Sequence, residues 1–569
     1  MSFNITHGNT YKDKPTGRSL PLYYSRHFAP TTNFKTKNKK RIMLLKGFLL
    51  SVVLYLIYYF ASHTLNNLQF TLFNNEVDWK DVQLKVRQAM LDSWHTYEKH
   101  GWGTDVYHPL LETGENMGPK PLGWMIVDSI DTLMIMDCPE EVERARLWIK
   151  DVDYKFNYEV NNFETTIRML GGLLSAYHLS NEDEVYLNKA IELASSLAGA
   201  YDSPSGLPYA SVNLQTGKGI KNHVDNGASS TAEVATLQLE LKYLAKLTGD
   251  VQWWDKAQKI MQVLDSNNVV DGLVPIYVNV DTGKYQGKLI RLGSRGDSYY
   301  EYLIKQYLQT GESVYYEMYR ESVEGVRKHL VGKSKPSGLT FIGELERGVI
   351  NGGGLSALSN KMDHLVCFYG GTLAVGATKG LVLEEARKQP WWDAEREAHF
   401  KLGEELTYTC YKMYHDVDAT GLSPEIVVFN NDPEKDTDFY IKRLDRHNLQ
   451  RPETVELLFY LYRITGDEKY RQWGYEIFNN FMKYTKVVND KGEVSFTSLN
   501  DVTSFNQDGS PKMRDNTESF WFAETLKYLY LLFDDADTID LREYVFNTEA
   551  HPLPVFKPDE GFKTWSRAK

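Results

Sequence analysis

The sequence has few cysteines and lacks the spacings that bind metals through sulfur. Its 569 residues contain three, Cys138, Cys367 and Cys410, and none belongs to a CxxC or CxxH pair, which argues against a zinc site. Three thiols allow at most one internal disulfide, and their spacing leaves the pairing open. An EF-hand loop is also missing, because Asp-Gly pairs such as Asp271-Gly272 lie in turn-like sequence.

Basic charge is scarce outside the amino-terminal segment. Residues 1–50 carry ten Lys or Arg against one acid, Asp13, so they contribute +9 to a net charge of −12, which leaves −21 for the rest. An acidic main body repels phosphate backbones, so we expect no nucleic-acid partner.

A single long hydrophobic run, Ile42–Ala61, stands near the amino terminus. Twenty helical residues span roughly 30 Å, about one bilayer core. Its late start and length favour a signal anchor over a cleavable signal peptide, and its lack of a polar face argues against a buried core helix. The basic flank on its amino-terminal side predicts a type II topology.

This topology divides the chain into four parts. We expect a cytosolic tail at 1–41, a transmembrane helix at 42–62, a lumenal stem at 63–78 and a large lumenal domain at 79–569 in the secretory pathway. The one Asn-x-Ser/Thr sequon, Asn4-Ile5-Thr6, then lies on the cytosolic side and stays unglycosylated.

The large domain repeats a unit of about 65 residues, which points to a repeat architecture. Each unit opens with a nearly all-apolar helix, continues with an amphipathic helix and closes with a Gly/Pro-rich hairpin-like stretch. PLGWMIVDSIDTLMIM resembles a degenerate first unit, and TESFWFAETLKYLYLLF a truncated last one. Seven helix pairs fit an open solenoid or a closed ring. Because no polar capping unit is evident, we predict an all-α fold, an (αα)7 barrel with β-hairpin loops at one end.

The stretch Phe163–Leu179 shows the design of a leading helix. Glu164 and Arg168 are four residues apart and therefore share one side of the helix. Taken alone they indicate a surface ion pair more often than a site. Gly171-Gly172 removes two side chains in mid-helix, which predicts close approach of a neighbouring helix.

Acids recur at the starts of the leading helices, which a ring would gather at one end. They are Asp128, Glu164, Glu233, Asp297, Asp363, Glu453 and Glu518. Each could merely favour its own helix dipole, but Ser, Thr or Asn would serve as well, so seven recurrences predict a shared acidic cavity. Paired carboxylates in a cavity are what glycoside hydrolysis requires, and a surplus of them suits Ca²⁺.

Several motifs together resemble one family. They are PLGWMIVDSIDTL, FETTIRMLGGLLSAYHL, STAEV, GSRGDSYYEYL, MDHLVCF, GLSPEIV, LQRPETVE, ESFWFAETLKYLYLLF and VFNTEAHP. In this order, over about residues 79–555, they are similar to the class I α-1,2-mannosidases of glycoside hydrolase family 47. The resemblance implies an (αα)7 barrel and an inverting, calcium-dependent enzyme that trims mannose from N-glycans.

The resemblance also assigns roles residue by residue. Glu164 matches the proton donor, although the family protonates through a water; Asp297 and Glu453 match further catalytic carboxylates, the latter the base. Glu425 of SPEIV matches another acid. The sugar-binding positions would be Arg168, Glu233, Arg295, His364, Arg451, Glu456, Phe520 and Glu524. Thr548 would bind Ca²⁺ directly, Glu524 and Glu549 through water, and Cys367 would pair with Cys410, leaving Cys138 free.

Arg295 refines the expected activity. Endoplasmic reticulum members of the family carry arginine before Gly-Asp, so Arg295-Gly296-Asp297 resembles that type, and the chain as a whole is most like the yeast-type enzymes. We therefore expect trimming of Man9 to Man8 on glycoproteins in the endoplasmic reticulum membrane. The alternatives are a non-hydrolytic glycan-binding factor in degradation, whose relatives usually add a long carboxyl-terminal domain, and a toroid that only scaffolds partners.

Overall fold

The computed structural model describes residues 77–350 and 357–567. Asp78–Lys569 forms one compact unit. The predicted tail at 1–41, the transmembrane helix at 42–62 and nearly all of the stem at 63–78 lie outside the described residues. Within the described ranges, none of the helices combines the length and apolar character that crossing a bilayer demands.

The unit is mostly helical, and its described residues form fourteen principal helices. They are α1 Trp79–His100, α2 Trp124–Ile135, α3 Pro139–Asp151, α4 Asn162–Glu164 continued by Thr165–Leu170 and Gly171–Leu179, α5 Glu184–Leu197, α6 Thr231–Ala235 continued by Gln238–Thr248, α7 Val251–Asp265, α8 Asp297–Thr310, α9 Ser313–His329, α10 Phe368–Thr378, α11 Ala394–His415, α12 Glu453–Thr465, α13 Lys469–Tyr484, and α14 Trp521–Thr525 continued by Leu526–Leu532.

The even-numbered helices touch one another in a closed cycle. Among the described residues, α2 contacts α4, and contacts continue through α6, α8, α10 and α12 to α14, which returns to α2. These seven inner helices are nearly wholly buried, and every residue of α10 is buried. An open solenoid would leave its first and last inner helices apart, whereas here α14 contacts α2, which favours a closed ring.

Each inner helix packs against one outer helix. Six pairs are consecutive in sequence, whereas α14 packs against α1, the first described helix. The last unit, predicted to be truncated, therefore receives its outer helix from the start of the domain. Trp94 and Tyr97 of α1 are fully buried in this contact region.

Short antiparallel strands occupy the connections from an outer helix to the next inner helix. They are β1 Val106–His108, β2 Thr113–Glu115, β3 Glu159–Asn161, β4 Ser211–Asn213, β5 Gly219–Ile220, β6 Ser229–Ser230, β7 Tyr277–Val278, β8 Tyr285–Gln286, β9 Val331–Lys333, β10 Thr340–Ile342, β11 Lys361–Asp363, β12 Ile426–Phe429, β13 Phe439–Tyr440, β14 Lys486–Val488, β15 Val494–Phe496, β16 Ser498–Phe505 and β17 Pro511–Arg514. After α14, β18 Tyr544–Phe546 pairs with β19 Pro552–Pro554. Apart from β18–β19, the hairpins thus collect at the amino-terminal ends of the inner helices, as predicted.

The connections from an inner helix to its outer helix are mostly short. In several of them, a glycine that ends the inner helix is followed directly by residues that begin the outer helix. Inner helices α6, α8 and α12 end at Gly249, Gly311 and Gly466, all with φ between 68° and 77°. Glycine adopts this left-handed conformation without a Cβ clash, which ends each helix cleanly. After Gly249, the Asp250 carboxylate accepts from the backbone N–H of Gln252 and caps α7.

The disulfide follows the pairing that the family resemblance implied. Cys367 is bonded to Cys410 with their Cα atoms 5.9 Å apart, joining the start of α10 to its outer partner α11. Cys138 is free and buried.

Candidate active site

One cavity of about 500 Å³ opens among the starts of the inner helices. Twelve of the predicted site residues line it: Glu164, Arg168, Glu233, Arg295, Asp297, Arg451, Glu453, Glu456, Phe520, Glu524, Thr548 and Glu549. They come from five inner helices and from the β18–β19 connection, separated by nearly 400 positions in sequence. The structure therefore brings the predicted set together.

Two predicted residues, His364 and Glu425, do not line the cavity but contact residues that do. His364 lies against Glu453, with 2.7 Å between Nδ1 and Oε2. Glu425, at the start of β12, accepts from Nε of Arg451 at 2.9 and 2.8 Å. Both therefore reach the cavity through a lining residue, and the predicted catalytic role of Glu425 stays a prediction.

The predicted acidic ring forms only in part. Of its seven members, Glu164, Glu233, Asp297 and Glu453 line the cavity. Asp128 is fully buried against His551, Asp363 is paired with Lys361 at 2.5 Å, and Glu518 accepts from Asn516 at 2.8 Å. These three helix starts were wrongly included, because a position at a helix start does not determine whether the side chain turns inwards.

Glu301 is a cavity residue that the sequence reading missed. It lies one helical turn beyond Asp297 on α8 and forms an ion pair with Lys305. The spacing of four from Asp297 placed it on the same helix face, which was the signal available in the sequence.

Asp297 is one of several cavity acids whose surroundings favour the protonated form. Burial raises its pKa to about 7, and the neighbouring Glu301, Asp363 and Glu453 add to this, although the backbone N–H of Ser298 opposes it. A carboxyl group with this pKa is protonated in a large fraction of molecules near neutral pH, which suits a general acid.

Glu453, in contrast, is held in its ionised form. Burial alone would raise its pKa, but the hydrogen bond and charge of His364, with Arg451, lower it below the usual range. The other ring nitrogen of His364 is 3.0 Å from the hydroxyl of Tyr414 and 2.9 Å from that of Thr454. These contacts orient Nδ1 of His364 towards the Glu453 carboxylate.

Glu164 and Arg168 form the predicted ion pair, and both also face the cavity. Nε of Arg168 donates to Glu164 at 2.9 Å, and its guanidinium also binds Asp128, Ser519 and Glu549. The helix starts at Asn162, and the side chain of Asn161 accepts from the backbone N–H of Glu164 at 2.9 Å. The ion-pair and site interpretations of this pair are therefore compatible.

The expected single helix at Phe163–Leu179 contains a π-helical segment, Thr165–Leu170, which carries Arg168. A second π-helical segment, Trp521–Thr525, carries Glu524. Such segments are rare and concentrate at functional sites, because they re-aim side chains that a regular helix would place elsewhere. Hydrophobic periodicity alone does not reveal them.

Gly171 and Gly172 have the close neighbours that the sequence predicted. A Cβ on Gly172 would lie 2.4 Å from the backbone oxygen of Val127 in the neighbouring inner helix α2. A Cβ on Gly171 would lie 2.6 Å from Nδ2 of Asn547, in the β18–β19 connection. Only the first contact is between helices, as predicted.

Arg168 and Arg451 enclose one aromatic ring. Their guanidinium carbons lie 5.7 and 5.6 Å from the ring centroid of Phe520, and Arg168 is also 5.6 Å from that of Trp124. Cations over aromatic faces are held in place by the ring quadrupole. The cavity therefore has an apolar patch flanked by fixed hydrogen-bond donors, a surface suited to a polyhydroxylated ring.

Arg295 and Glu233 are fixed by local geometry. Arg295 has a left-handed backbone (φ 75°), donates to Asp225 at 2.8 Å and lies 5.2 Å from the ring centroid of Tyr277. Glu233 closes a capping box with Ser230 at the start of α6. Glu233 therefore stabilises the start of its helix and also lines the cavity, so the two interpretations of this acid are compatible.

The donor set fits the predicted Ca²⁺. Eight of the described acids line the cavity against three arginines, and burial with the charges of Glu549 and Glu453 raises the pKa of Glu524 well above its usual range. Among the described residues, no hydrogen bond uses the hydroxyl or carbonyl oxygen of Thr548. Free oxygen ligands beside uncompensated carboxylates are what a hard divalent cation requires.

Comparison with known proteins identifies the family. The family model described as glycosyl hydrolase family 47 matches residues 89–555. The chain belongs to glycosyl hydrolase family 47. This membership makes it a glycosidase by descent and agrees with the carboxylate-lined cavity.

Curated family 47 relatives match over nearly their whole length. A mannosyl-oligosaccharide 1,2-alpha-mannosidase of Candida albicans is 72% identical over 531 residues, covering 93% of this chain and 92% of that protein. The endoplasmic reticulum mannosyl-oligosaccharide 1,2-alpha-mannosidase of Saccharomyces cerevisiae is 51% identical, covering 84% and 90%. Among solved structures, an alpha-1,2-mannosidase from Trichoderma reesei superposes with a TM-score of 0.72 at 26% identity, covering 84% of this chain and 99% of that one.

Proposed function

We propose that this protein hydrolyses terminal α-1,2-linked mannose from high-mannose N-glycans with inversion, mainly converting Man9 to Man8. The observation that carries the proposal is one cavity lined by both Asp297, beside Glu301, and Glu453, 2.7 Å from His364. Burial there raises the pKa of Asp297 to about 7, while His364 lowers that of Glu453. Opposed protonation of two carboxyl groups is the requirement of acid–base glycoside hydrolysis. The Candida and Saccharomyces relatives, both mannosyl-oligosaccharide 1,2-alpha-mannosidases, supply the sugar and the linkage.

In this reaction Glu453 accepts the proton of the attacking water. Its ionised form is favoured by His364 and Arg451, so it is ready as a base. Glu164, through a water as in the family, or Asp297 delivers the proton to the leaving oxygen. Glu425 keeps Arg451 charged and oriented towards the departing sugar. Inversion is proposed from family membership.

Substrate hydroxyls would be bound by the charged wall. Arg168, Arg451 and Phe520 form one side, while Glu233, Glu456 and Glu524 offer acceptors. Arg295, held by Asp225, would determine which branch of the glycan is trimmed. A Ca²⁺ held by Thr548, and through water by Glu524 and Glu549, would supply fixed positive charge for sugar hydroxyls.

We also propose an (αα)7 barrel as the scaffold and the endoplasmic reticulum membrane as the location. The closed cycle of inner helices supports the barrel. The names of the yeast relatives support the reticulum, and the apolar run at 42–62 supports a type II anchor with a lumenal catalytic domain. The partners are then glycoproteins that carry high-mannose glycans.

The test is mannose release from a defined α-1,2-linked high-mannose glycan in the presence of Ca²⁺. We expect the wild type to release mannose, and Glu453→Gln to lose roughly 10²- to 10⁴-fold in kcat because the base is removed. Glu384→Gln, at an exposed acid between α10 and α11, is the matched control and should retain activity. Glycan binding without release by the wild type would support the non-hydrolytic alternative instead.

A further inference from the structure

Asn547, between β18 and β19, is fully buried and uses its whole hydrogen-bonding capacity. Its side-chain oxygen accepts from the backbone N–H groups of Glu549 at 2.9 Å and His551 at 2.8 Å. Its amide nitrogen donates to the backbone oxygen of Ile167 and to Glu240, each at 2.8 Å. An asparagine offers two acceptor positions and two donors, so none is left over.

The bond to Ile167 enters α4 within its π-helical segment. Ile167 immediately precedes Arg168, and the donated hydrogen bond comes from outside the helix. A side chain inserted into the helix ladder is one of the identifiable causes of local distortion. Gly171 leaves the necessary space, because a Cβ there would lie 2.6 Å from the Asn547 amide.

The residue that follows Asn547 is Thr548, the predicted direct Ca²⁺ ligand. The backbone N–H of Thr548 donates to the hydroxyl of Tyr302 at 3.3 Å, and Glu549 binds Arg168. Asn547 therefore connects the Thr548 loop, the π-helical segment with Arg168, and α6 through Glu240. No contact places Asn547 itself in the cavity lining.

We propose that Asn547 is a positioning residue that fixes the oxygen ligands of Thr548 relative to the Glu164–Arg168 wall. The inference rests on the proposed calcium dependence. Aspartate at this position would keep the two accepted bonds but lose both donated bonds and face the carboxylate of Glu240. Alanine would lose all four and leave buried backbone groups unpaired, which is expensive.

The experiment is a Ca²⁺ titration of the full-length protein in mild detergent after removal of divalent ions. The melting temperature is followed as a function of CaCl2 for wild type, Asn547→Ala and Asn547→Asp. We expect the midpoint to rise at least tenfold in both variants, and the lost mannosidase activity of Asn547→Asp to recover partly at high Ca²⁺. The matched control is Asn267→Ala, which removes three bonds to backbone oxygens on the outer side near α7 and should shift the midpoint less than twofold.

Unchanged midpoints in both Asn547 variants would overturn the inference, as would failure of both to fold in saturating Ca²⁺, because a general folding role is then sufficient. A wild type whose melting temperature ignores Ca²⁺ would also overturn it. Mannose release by that same wild type would still leave the proposed function standing. Conversely, a wild type that binds Ca²⁺ but releases no mannose would refute the proposed function. The Ca²⁺ midpoints of the Asn547 variants would then still decide whether Asn547 positions the Ca²⁺ ligands.

Discussion

Glu453 and Asp297 face one cavity but have different neighbours. Glu453 contacts His364 and is attracted by the charge of Arg451, whereas Asp297 has three acids around it and a single backbone donor. Opposite charges stabilise the ionised form of one carboxyl group, and like charges with burial stabilise the neutral form of the other. At the scale of the residue, the direction of proton transfer is therefore set by the side chains that surround each carboxyl group.

Removal of His364 should shift the acid limb of the pH–rate profile upwards. His364→Ala takes away the group that lowers the pKa of Glu453, so burial raises that pKa and the base ionises only at higher pH. We expect kcat/KM to be lost below neutral pH first, with a displacement on the order of one pH unit. Tyr414→Phe, which removes one neutral hydrogen bond from the ring, is the control, and an unmoved acid limb in His364→Ala would contradict the assignment.

Asp225→Asn should loosen product specificity without abolishing turnover. The substitution removes the charge that holds Arg295 at 2.8 Å, leaving the contact with Tyr277. Because this pair is partly exposed, the effect should be a few-fold in KM rather than a loss of kcat. The measurement is the isomer composition of the product glycans, and Asp281→Asn, which breaks the exposed pair with Lys221, should leave it unchanged.

At the scale of the element, α4 shows how helix packing and the site depend on the same glycines. Gly172 lets α2 approach so closely that no side chain fits, and Gly171 admits the amide of Asn547. The approach brings Asp128 of α2 to 3.3 Å from Arg168 of α4. The contact between the two helices thus also orients a cavity residue.

Gly172→Ala should destabilise the protein despite the better helix propensity of alanine. The new Cβ would meet a backbone oxygen at 2.4 Å, which cannot rotate away. We expect a net loss of about 1–2 kcal/mol in the free energy of unfolding, since overpacking exceeds the roughly 1 kcal/mol gained in propensity. Urea unfolding measures it. The control Ser195→Ala, on the exposed side of α5, should change the free energy of unfolding by less than about 0.5 kcal/mol. A Gly172→Ala variant as stable as the wild type would refute the close contact.

At the scale of the whole molecule, the ring is closed by a contact between its two ends. Ser93 of α1 accepts from the indole N–H of Trp521 in α14 at 3.1 Å, and Val86, Met90 and Trp94 are fully buried. The first described helix, α1, is therefore part of the core of this domain.

Removal of α1 should abolish cooperative folding. A chain beginning at Thr104 would leave the outer side of α14 uncovered and lose several large buried side chains, each worth about 1.5–3 kcal/mol. Their sum is comparable to the entire stability of a domain, about 5–15 kcal/mol. A chain that begins at Val77 should show a sharp thermal unfolding transition, and the chain that begins at Thr104 should show none. A sharp transition in the shorter chain would show that the ring holds without its closing pair.

Much of the helix pattern and the site composition could be predicted from the sequence, but the geometry could not. The apolar inner helices, the amphipathic outer helices and the hairpin-like connections follow from residue type and spacing. The π-helical segments, the inward Glu301 and the role of Asn547 did not follow, because each depends on contacts between positions far apart. The same reason explains why Asp128, Asp363 and Glu518 were placed in the cavity incorrectly.

Residue spacing alone is enough to predict that apolar helices alternate with amphipathic ones, that acids stand at their starts, and that Glu164 and Arg168 share one helix face. Local spacing decides these features, since they require only the periodicity of a helix. Contacts in the folded domain, and not spacing, bring α14 against α1, turn four of the seven acids inwards and let Asn547 join the Thr548 loop to α4. Such contacts form when distant segments exclude water together, and their partners are not neighbours in the chain.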